Sequence, residues 1–241
     1  MNPLRPLAAL ILCLPLAAQT VTLQPAPGVK ATEVRTLPFA AHAPLRVKNV
    51  NGHIRVTVWD RPEAEFTGAF TPARKGEQVK VILEPREGGL DVRVEHPKHT
   101  ENGPTCDMDL KVPRSARVVL ESVNGEVEAR EIGGSAECRT VNGAITVEGV
   151  SGAFKAETVN GSIRAHGLQA GVSGRTVNGA ITLGAKGLKG RLEATTVNGE
   201  LKISAPGARD VKAGRRRVEA TLGTGEGQLK LQTVNGDITV E

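Results

Sequence analysis

The most constraining feature of the sequence is the triplet Val-Asn-Gly, which occurs seven times in 241 residues. The copies begin at Val50, Val123, Val141, Val159, Val177, Val197 and Val234. From Val123 to Val197 the successive steps are 18, 18, 18 and 20 residues. A short fixed period is typical of repeat architectures, in which each unit buries its apolar face against the next unit. The repeats therefore predict how the chain is built more strongly than what it does.

A nine-residue period lies within the 18-residue period. Residues 140–148 read T-V-N-G-A-I-T-V-E, and the next nine read G-V-S-G-A-F-K-A-E. Apolar residues recur at positions 2, 6 and 8, and positions 6 and 8 alternate with polar residues as in half-buried strands. Glycine at position 4 indicates a bend, because glycine tolerates positive φ. We therefore expect short strands, with the position-2 residues Val141, Val159 and Val177 inside.

Two all-β folds fit this pattern. Asn-Gly between short strands is a strong hairpin signal, which would give an antiparallel β-meander. Alternatively, each 18-residue unit is one coil of a β-solenoid, with two strands and two corners. The solenoid is favoured because identical side chains in register stack into ladders. The expected ladder at one corner consists of Asn124, Asn142, Asn160, Asn178 and Asn198, with Thr140, Thr158, Thr176 and Thr196 beside it.

The sequence divides into three expected segments. Residues 1–19 have the features of a secretory signal peptide, because Arg5 is their only charge and the apolar run Leu7 to Ala18 is too short to span a bilayer. Residues 20–44 contain four prolines and are expected to be an extended segment that caps the first coil. Residues 45–241 are expected to form the solenoid.

The C-terminal end of the repeat region is irregular. The chain stops inside a repeat, at Ile238 to Glu241, and no capping segment follows. Either the stretch 205–221 folds back over that end or the end is open. An open end favours weak self-association of the C-terminal coil through main-chain hydrogen bonds.

Composition and charge disfavour nucleic acid as a partner. The formal net charge of +5 falls to +4 once Arg5 leaves with the signal peptide. The chain has no Tyr, one Trp and four Phe, whereas single-stranded nucleic acids are bound through aromatic stacking. The one basic cluster, Arg215 to Arg217, is interpreted as a solvated turn or strand edge. No transmembrane segment is expected after the signal. The protein is therefore expected in the periplasm, on the outer cell surface or secreted.

Two cysteines, Cys106 and Cys138, remain after the predicted cleavage. Such pairs often form disulfides in an oxidising compartment. They lie 32 residues apart, which is not a multiple of the repeat. Because stacked coils are about 4.8 Å apart, two coils exceed bonding reach. A disulfide therefore requires the chain around Cys106 to loop toward Cys138, and the sequence leaves both outcomes open.

No convergent catalytic or metal-binding set stands out. Calcium-binding β-rolls need Asp in each turn, whereas Asp237 is the one Asp in the matching turns here. Asp107 and Asp109 are interpreted as outward positions of a strand rather than as a catalytic pair. Four further acids and histidines are interpreted as a solvated loop: Glu95, His96, His99 and Glu101. Nucleophile-elbow, zinc-protease and P-loop motifs are absent from the sequence. We expect neither a cofactor nor enzymatic activity.

Several passages resemble a bacterial family of unknown function that carries the label "putative adhesin". Residues 45–60, L-R-V-K-N-V-N-G-H-I-R-V-T-V-W-D, resemble its opening, and residues 109–127 resemble its central passage. The T-V-N-G-x-I repeats and the closing V-N-G-D-I-T-V are similar too, so the resemblance covers residues 40–241. It implies an exported, right-handed β-helix-like fold, and it supplies no catalytic residues.

Three classes of function follow from these features. The favoured class is an exported, non-enzymatic envelope protein that acts as an adhesin, a scaffold or a binding protein. A polysaccharide-acting β-helix enzyme is one alternative, but sugar sites usually use aromatic platforms, which are scarce here. A surface- or ice-binding protein that uses the Thr-x-Asn rows is the other. The charged residues Arg139, Glu157 and Arg175 precede those threonines and interrupt a flat array.

Overall fold

The computed structural model describes residues 19–73, 76–97 and 103–241, so nearly all of the expected signal segment lies outside the described residues. Within these ranges the chain forms 22 β-strands and no helix. The strands are β1 (Val21–Leu23), β2 (Ala31–Pro38), β3 (Pro44–Lys48), β4 (Ile54–Trp59), β5 (Glu63–Thr71), β6 (Lys80–Arg86), β7 (Gly89–Glu95), β8 (Thr105–Pro113), β9 (Arg117–Glu121), β10 (Val127–Arg130), β11 (Ala136–Arg139), β12 (Ile145–Glu148), β13 (Phe154–Glu157), β14 (Ile163–His166), β15 (Val172–Arg175), β16 (Ile181–Leu183), β17 (Gly190–Thr195), β18 (Leu201–Ile203), β19 (Arg209–Ala213), β20 (Arg217–Leu222), β21 (Gln228–Gln232) and β22 (Ile238–Val240).

The strands form two sheets. The twelve-stranded sheet has the order β1-β6-β7-β3-β9-β11-β13-β15-β21-β17-β20-β19, and the ten-stranded sheet has the order β18-β22-β16-β14-β12-β10-β4-β8-β5-β2. In the repeat region neighbouring strands are parallel, and Ile163 lies in register between Ile145 and Ile181. Each coil thus adds one strand to each sheet at the 18-residue step. This arrangement confirms the β-solenoid and excludes the antiparallel meander for these repeats.

The core lies between the two sheets. Side chains at positions 6 and 8 of each nine-residue unit point inward, and Ile145, Val147, Phe154 and Ala156 are all buried. The polar residues between them lie on the outer faces, as strand alternation requires. The core is therefore a stack of aliphatic rows, one residue from each coil in each row.

The glycines of the Val-Asn-Gly corners are required because the stacked main chains lie very close together. A Cβ on Gly161 would lie 1.8 Å from the carbonyl oxygen of Gly143, and a Cβ on Gly143 would lie 2.1 Å from that of Gly125. None of these three glycines has a positive φ. Stacked corners approach so closely that no side chain fits between them. The bend expected at position 4 is present, but positive φ is not the reason for glycine in these three coils, whereas Gly52 and Gly236 do have positive φ.

The C-terminal strands lie inside the sheets instead of at their end. β21 lies between β15 and β17, and β22 lies between β16 and β18. Val240 is in register with Leu183 on one side and Ile203 on the other. The prediction that the C-terminal coil has an open edge is therefore wrong, because both edges of β22 are already paired. Within the stretch 205–221, β19 and β20 instead extend the twelve-stranded sheet beyond β17.

Residues 20–44 contribute the end strands of both sheets on the N-terminal side. β1 pairs with β6 at one end of the twelve-stranded sheet, and β2 pairs with β5 at one end of the ten-stranded sheet. Both pairings are antiparallel, unlike those of the repeats. β3, the first strand of the solenoid coils, begins at Pro44.

Cys106 and Cys138 are both buried free thiols, so the disulfide is not formed. In the ten-stranded sheet, Cys106 lies in β8, which is next to β4. In the twelve-stranded sheet, Cys138 lies in β11, which is two strands away from β3 in the opposite direction along the stack of coils. Because β3 and β4 belong to one coil, the two cysteines are three strand spacings apart, or about 14 Å. That separation exceeds disulfide reach. Burial raises the pKa of each thiol to about 12.

Candidate binding surface

The two corners of each coil place their position-2 residues differently. Val150 and Leu168 are 0% and 1% exposed, whereas Val141 and Val159 are 40% and 39% exposed. The expectation that the Val-Asn-Gly valines lie inside is therefore wrong. At the other corner a glycine with positive φ, Gly149, precedes Val150 and turns its side chain inward.

Threonine takes the inward position at the Val-Asn-Gly corner. Phe154, Ala156 and Thr158 continue one alternation into the core, so Val159 is left outside. Thr158 Oγ1 donates a hydrogen bond to the Gly143 carbonyl oxygen at 3.2 Å. The same bond recurs in other coils: Thr140 to Gly125, Thr176 to Gly161, Thr233 to Gly179 and Thr196 to Gly236. A buried hydroxyl needs such a hydrogen-bond partner. In the sequence, the alternation of Phe154, Ala156 and Thr158 is the signal that indicates an inward threonine.

The asparagine side chains form a continuous ladder beside this corner. Apart from Asn51, which only accepts in this ladder, each Nδ2 donates to the Oδ1 of the asparagine in a neighbouring coil at 2.8 or 2.9 Å. The spatial order is Asn51, Asn124, Asn142, Asn160, Asn178, Asn235 and Asn198. Asn198 therefore contacts Asn235 instead of Asn178, because the C-terminal coil is inserted between them. The side chains lie at the surface, where the ladder fixes the outline of the corner.

The outward valines form one row along the solenoid. In the spatial order of the coils the row consists of Val50, Val123, Val141, Val159, Val177, Val234 and Val197. Five of the eight large hydrophobic residues that are prominently exposed belong to it. Seven residues at the spacing of neighbouring strands extend over about 29 Å. Aligned exposed apolar residues are typical of interaction sites, whereas scattered ones are not.

A groove of about 680 Å³ runs beside the row over four coils, from Val123 to Val177. At each corner a buried polar residue (Asn49, Ser122, Thr140, Thr158 or Thr176) directly precedes the outward valine. The residues one position before these buried ones form the other wall of the groove. These residues alternate in charge: Lys48, Glu121, Arg139, Glu157 and Arg175. The floor is formed by inward residues such as Thr140 and Thr158. The groove thus has one apolar wall and one ionic wall.

The ionic wall is largely neutralised by its own members. Glu121 contacts Lys48 at 2.9 Å and Arg139 at 3.4 Å, and Arg139 contacts Glu157 at 3.1 Å. The hydrogen bond that Arg139 donates to Glu157 raises the pKa of Arg139. Burial opposes ionisation of Glu157, but hydrogen bonds from Arg139 and Lys155 outweigh it and lower the pKa of that carboxyl. Both groups therefore stay charged and paired at neutral pH.

Asp107 and Asp109 lie together on the outer face of the ten-stranded sheet, but each has a basic neighbour. Asp107 Oδ1 lies 3.3 Å from His53 Nδ1, and Asp109 Oδ1 lies 3.2 Å from Arg55 Nη1. Arg55 also pairs with Glu128 at 2.6 Å. The carboxylates thus belong to an ion-pair network on a sheet surface, as polar outward positions do.

The remaining sequence candidates are dispersed. Glu95 pairs with Lys80 at 3.2 Å, whereas His99 and Glu101 lie outside the described residues. Across the described ranges, His, Cys, Asp and Glu side chains form no group of three suited to a metal ion. Asp237 accepts a hydrogen bond from the Glu200 main chain. The arginine cluster lies at the turn between β19 and β20, and Arg217 pairs with Glu219.

Comparison with solved structures finds distant neighbours, including the following two. One is described as a putative cell adhesion protein from Clostridium sporogenes, with a TM-score of 0.49 and 10% identity, covering 88% of this chain and 99% of that one. Another is described as a putative adhesin from Bacteroides fragilis, with a TM-score of 0.28 and 9% identity, covering 88% and 97%. No curated protein matches the chain significantly.

The comparison with protein families covers the repeats and the last nine residues of the N-terminal segment, 36–44. The model of the Toastrack family DUF4097 matches residues 36–241, which include every Val-Asn-Gly corner. None of the described residues belongs to a helix long and apolar enough to cross a membrane. The chain belongs to the Toastrack family of β-solenoid proteins, whose function is unknown.

Proposed function

We propose that the protein is an exported, non-enzymatic β-solenoid of the cell envelope, in which the row of outward valines binds a partner. The proposal rests on one observation: at the Val-Asn-Gly corner Thr158 points into the core, whereas the more hydrophobic Val159 points outward. Val159 is 39% exposed, so it contributes less to the core than the buried Thr158 and Ile163 beside it. A valine nevertheless precedes the asparagine in all seven coils that the asparagine ladder connects.

The ionic wall supports a partner with a complementary apolar ridge. Because Glu121, Arg139 and Glu157 pair with one another, the wall presents little net charge to a ligand. Desolvating a paired wall costs less than desolvating isolated charges. A partner strand or ridge that lies against the valines would bury apolar surface worth about 25 cal/mol per Å².

Export is proposed from the signal-like residues 1–19. Mass spectrometry of the periplasmic and secreted fractions tests export. A mature chain that starts between Ala17 and Thr20 is expected. A protein found only in the cytoplasm with Met1 intact would contradict it.

Binding is tested with purified, fluorescently labelled protein on cell-envelope preparations of the producing bacterium. The double variant Val141→Lys/Val159→Lys places two charges on the valine row and should abolish binding. The matched control is Thr146→Lys/Thr182→Lys, which adds the same charges to the outer face of the ten-stranded sheet. Equal binding by both variants, with unchanged unfolding midpoints, would overturn the proposed surface.

A further inference from the structure

Among the strands that the structure describes, β2 has the longest regular free edge. β2 pairs with β5 over all eight residues, from Ala31 opposite Phe70 to Pro38 opposite Glu63. No described strand lies on its other side. The other end strands are shorter, with three residues in β1 and three in β18, or irregular, since β19 has a register shift after Arg209. Short or bulged edges resist strand addition, whereas a long regular edge accepts it.

Two observations show which main-chain groups face outward along β2. Pro38 has no N–H, and proline occurs in a sheet where that missing donor faces away from the neighbouring strand. Arg35 Nη1 donates to the Val34 carbonyl oxygen at 2.7 Å, which places that carbonyl within reach of a side chain at the edge. In antiparallel pairing the N–H and C=O of one residue face the same side. Thr32, Val34 and Thr36 therefore offer their main-chain groups to a partner.

The sequence of β2 is self-complementary about Val34. In an antiparallel pair centred on this residue, Val34 faces Val34 of the second strand, and Thr32 faces Thr36. Glu33 then faces Arg35 on both sides of the centre, and Ala31 faces Leu37. Cross-strand pairs of opposite charge, of two threonines and of two apolar residues each stabilise a sheet.

The positions of the two charges select the partner. Glu33 and Arg35 share a face with Leu37, opposite Gly68, Phe66 and Ala64 of β5, so they point to the inner side of the sheet. They pair with each other at 3.1 Å, and their side chains are 33% and 44% exposed. An unrelated apolar strand would cover this ion pair and add no partner for either charge, whereas buried charges need further hydrogen-bond partners. A second copy in this register supplies an arginine for each glutamate.

From this edge we propose that two copies of the chain dimerise by antiparallel pairing of β2 with β2, centred on Val34. Two ten-stranded sheets then form one continuous sheet across a two-fold axis. The exposed Val34 side chains, 49% accessible in the single chain, contact each other at that axis. The valine row of the binding surface is not used, so the dimer and the proposed function stand or fall separately.

Charge exchange tests the register. Glu33→Arg and Arg35→Glu each place like charges opposite each other, and each should raise the dimer dissociation constant by about tenfold or more in sedimentation velocity. An equimolar mixture of the two variants restores both pairs and should form a heterodimer. The double variant Glu33→Arg/Arg35→Glu should dimerise like the unmodified protein. This rescue distinguishes loss of pairing from loss of folding.

Cysteine cross-linking tests the centre of symmetry. A hydrogen-bonded antiparallel pair has Cα atoms about 5.5 Å apart, which suits a disulfide. Val34→Cys should therefore cross-link to itself under mild oxidation. Thr36→Cys is the matched control, because its two copies would lie about 14 Å apart along the strands. The unmodified protein gives the background, since Cys106 and Cys138 are buried.

The competing outcome is an edge that binds an unrelated extended peptide. In that case the purified protein sediments as a monomer at its highest soluble concentration. Equal cross-linking by Val34→Cys and Thr36→Cys, or a dimer that neither charge variant weakens, would also overturn the proposal.

Discussion

Thr158 and Gly143 are joined across neighbouring coils by a 3.2 Å hydrogen bond from the threonine hydroxyl to the glycine carbonyl. This contact determines which side of the corner faces the core. It buries a threonine and exposes Val159, and its repetition in successive coils produces the valine row.

Removing that hydroxyl should destabilise the fold although the shape is preserved. Thr158→Val leaves the Gly143 carbonyl without its donor, and we expect the free energy of unfolding to fall by about 1–3 kcal/mol. The control is Ser122→Ala, because Ser122 Oγ is buried in the equivalent position without a hydrogen-bond partner. Urea denaturation of both variants measures the difference. Equal losses would show that the hydrogen bond does not stabilise the corner.

A side chain at a corner glycine should be far more disruptive than one at a neighbouring glycine. Gly161→Ala would place its Cβ 1.8 Å from a main-chain oxygen, so the coils must separate. Gly171→Ala meets its nearest atom, the Gln228 carbonyl oxygen, at 3.5 Å, which is an ordinary contact. We expect a large fall in melting temperature for the first and a small change for the second. Similar melting temperatures would contradict the close packing of the corners.

A charge in the aliphatic stack should cost several kcal/mol. Ile163 is 1% exposed and lies between Ile145 and Ile181, so Ile163→Asp places an uncompensated carboxylate in the core. Arg164→Asp is the control, because its side chain lies on the outer face of the same strand. Circular dichroism during chemical unfolding compares the two. A folded and equally stable Ile163→Asp protein would rule out the packed stack.

Glu157 should contribute stability only while it is ionised. Its pKa in the folded chain is lowered from the ordinary value of 4.5. A lowered pKa means that the contribution is complete above pH 4.5 and is lost as the pH falls through the folded value. Glu157→Gln should therefore be less stable than the unmodified protein at pH 7, with a difference that shrinks below pH 4.5. Glu148→Gln, which removes an exposed carboxylate from β12, serves as the control for the loss of one negative charge. A stability difference for Glu157→Gln that does not change with pH would contradict the prediction.

The 18-residue register was readable from sequence because it follows from repetition alone. Identical residues stack when the chain repeats, so the parallel pairing of Ile145 with Ile163 needed no further information. The alternation of Phe154 and Ala156 also pointed to an inward Thr158. The prediction instead placed the corner valines inside because valine is hydrophobic. That prediction was wrong.

The tertiary structure decided what depends on contacts between distant segments. The insertion of β22 between β16 and β18 reverses the spatial order of the last two coils, which a linear reading of repeats does not contain. The free thiols of Cys106 and Cys138 follow from the number of strands between them. The free edge of β2 follows from its pairing with β5. The sequence by itself determined the coil, because its period is local, whereas only long-range strand order determined the ends and the surfaces.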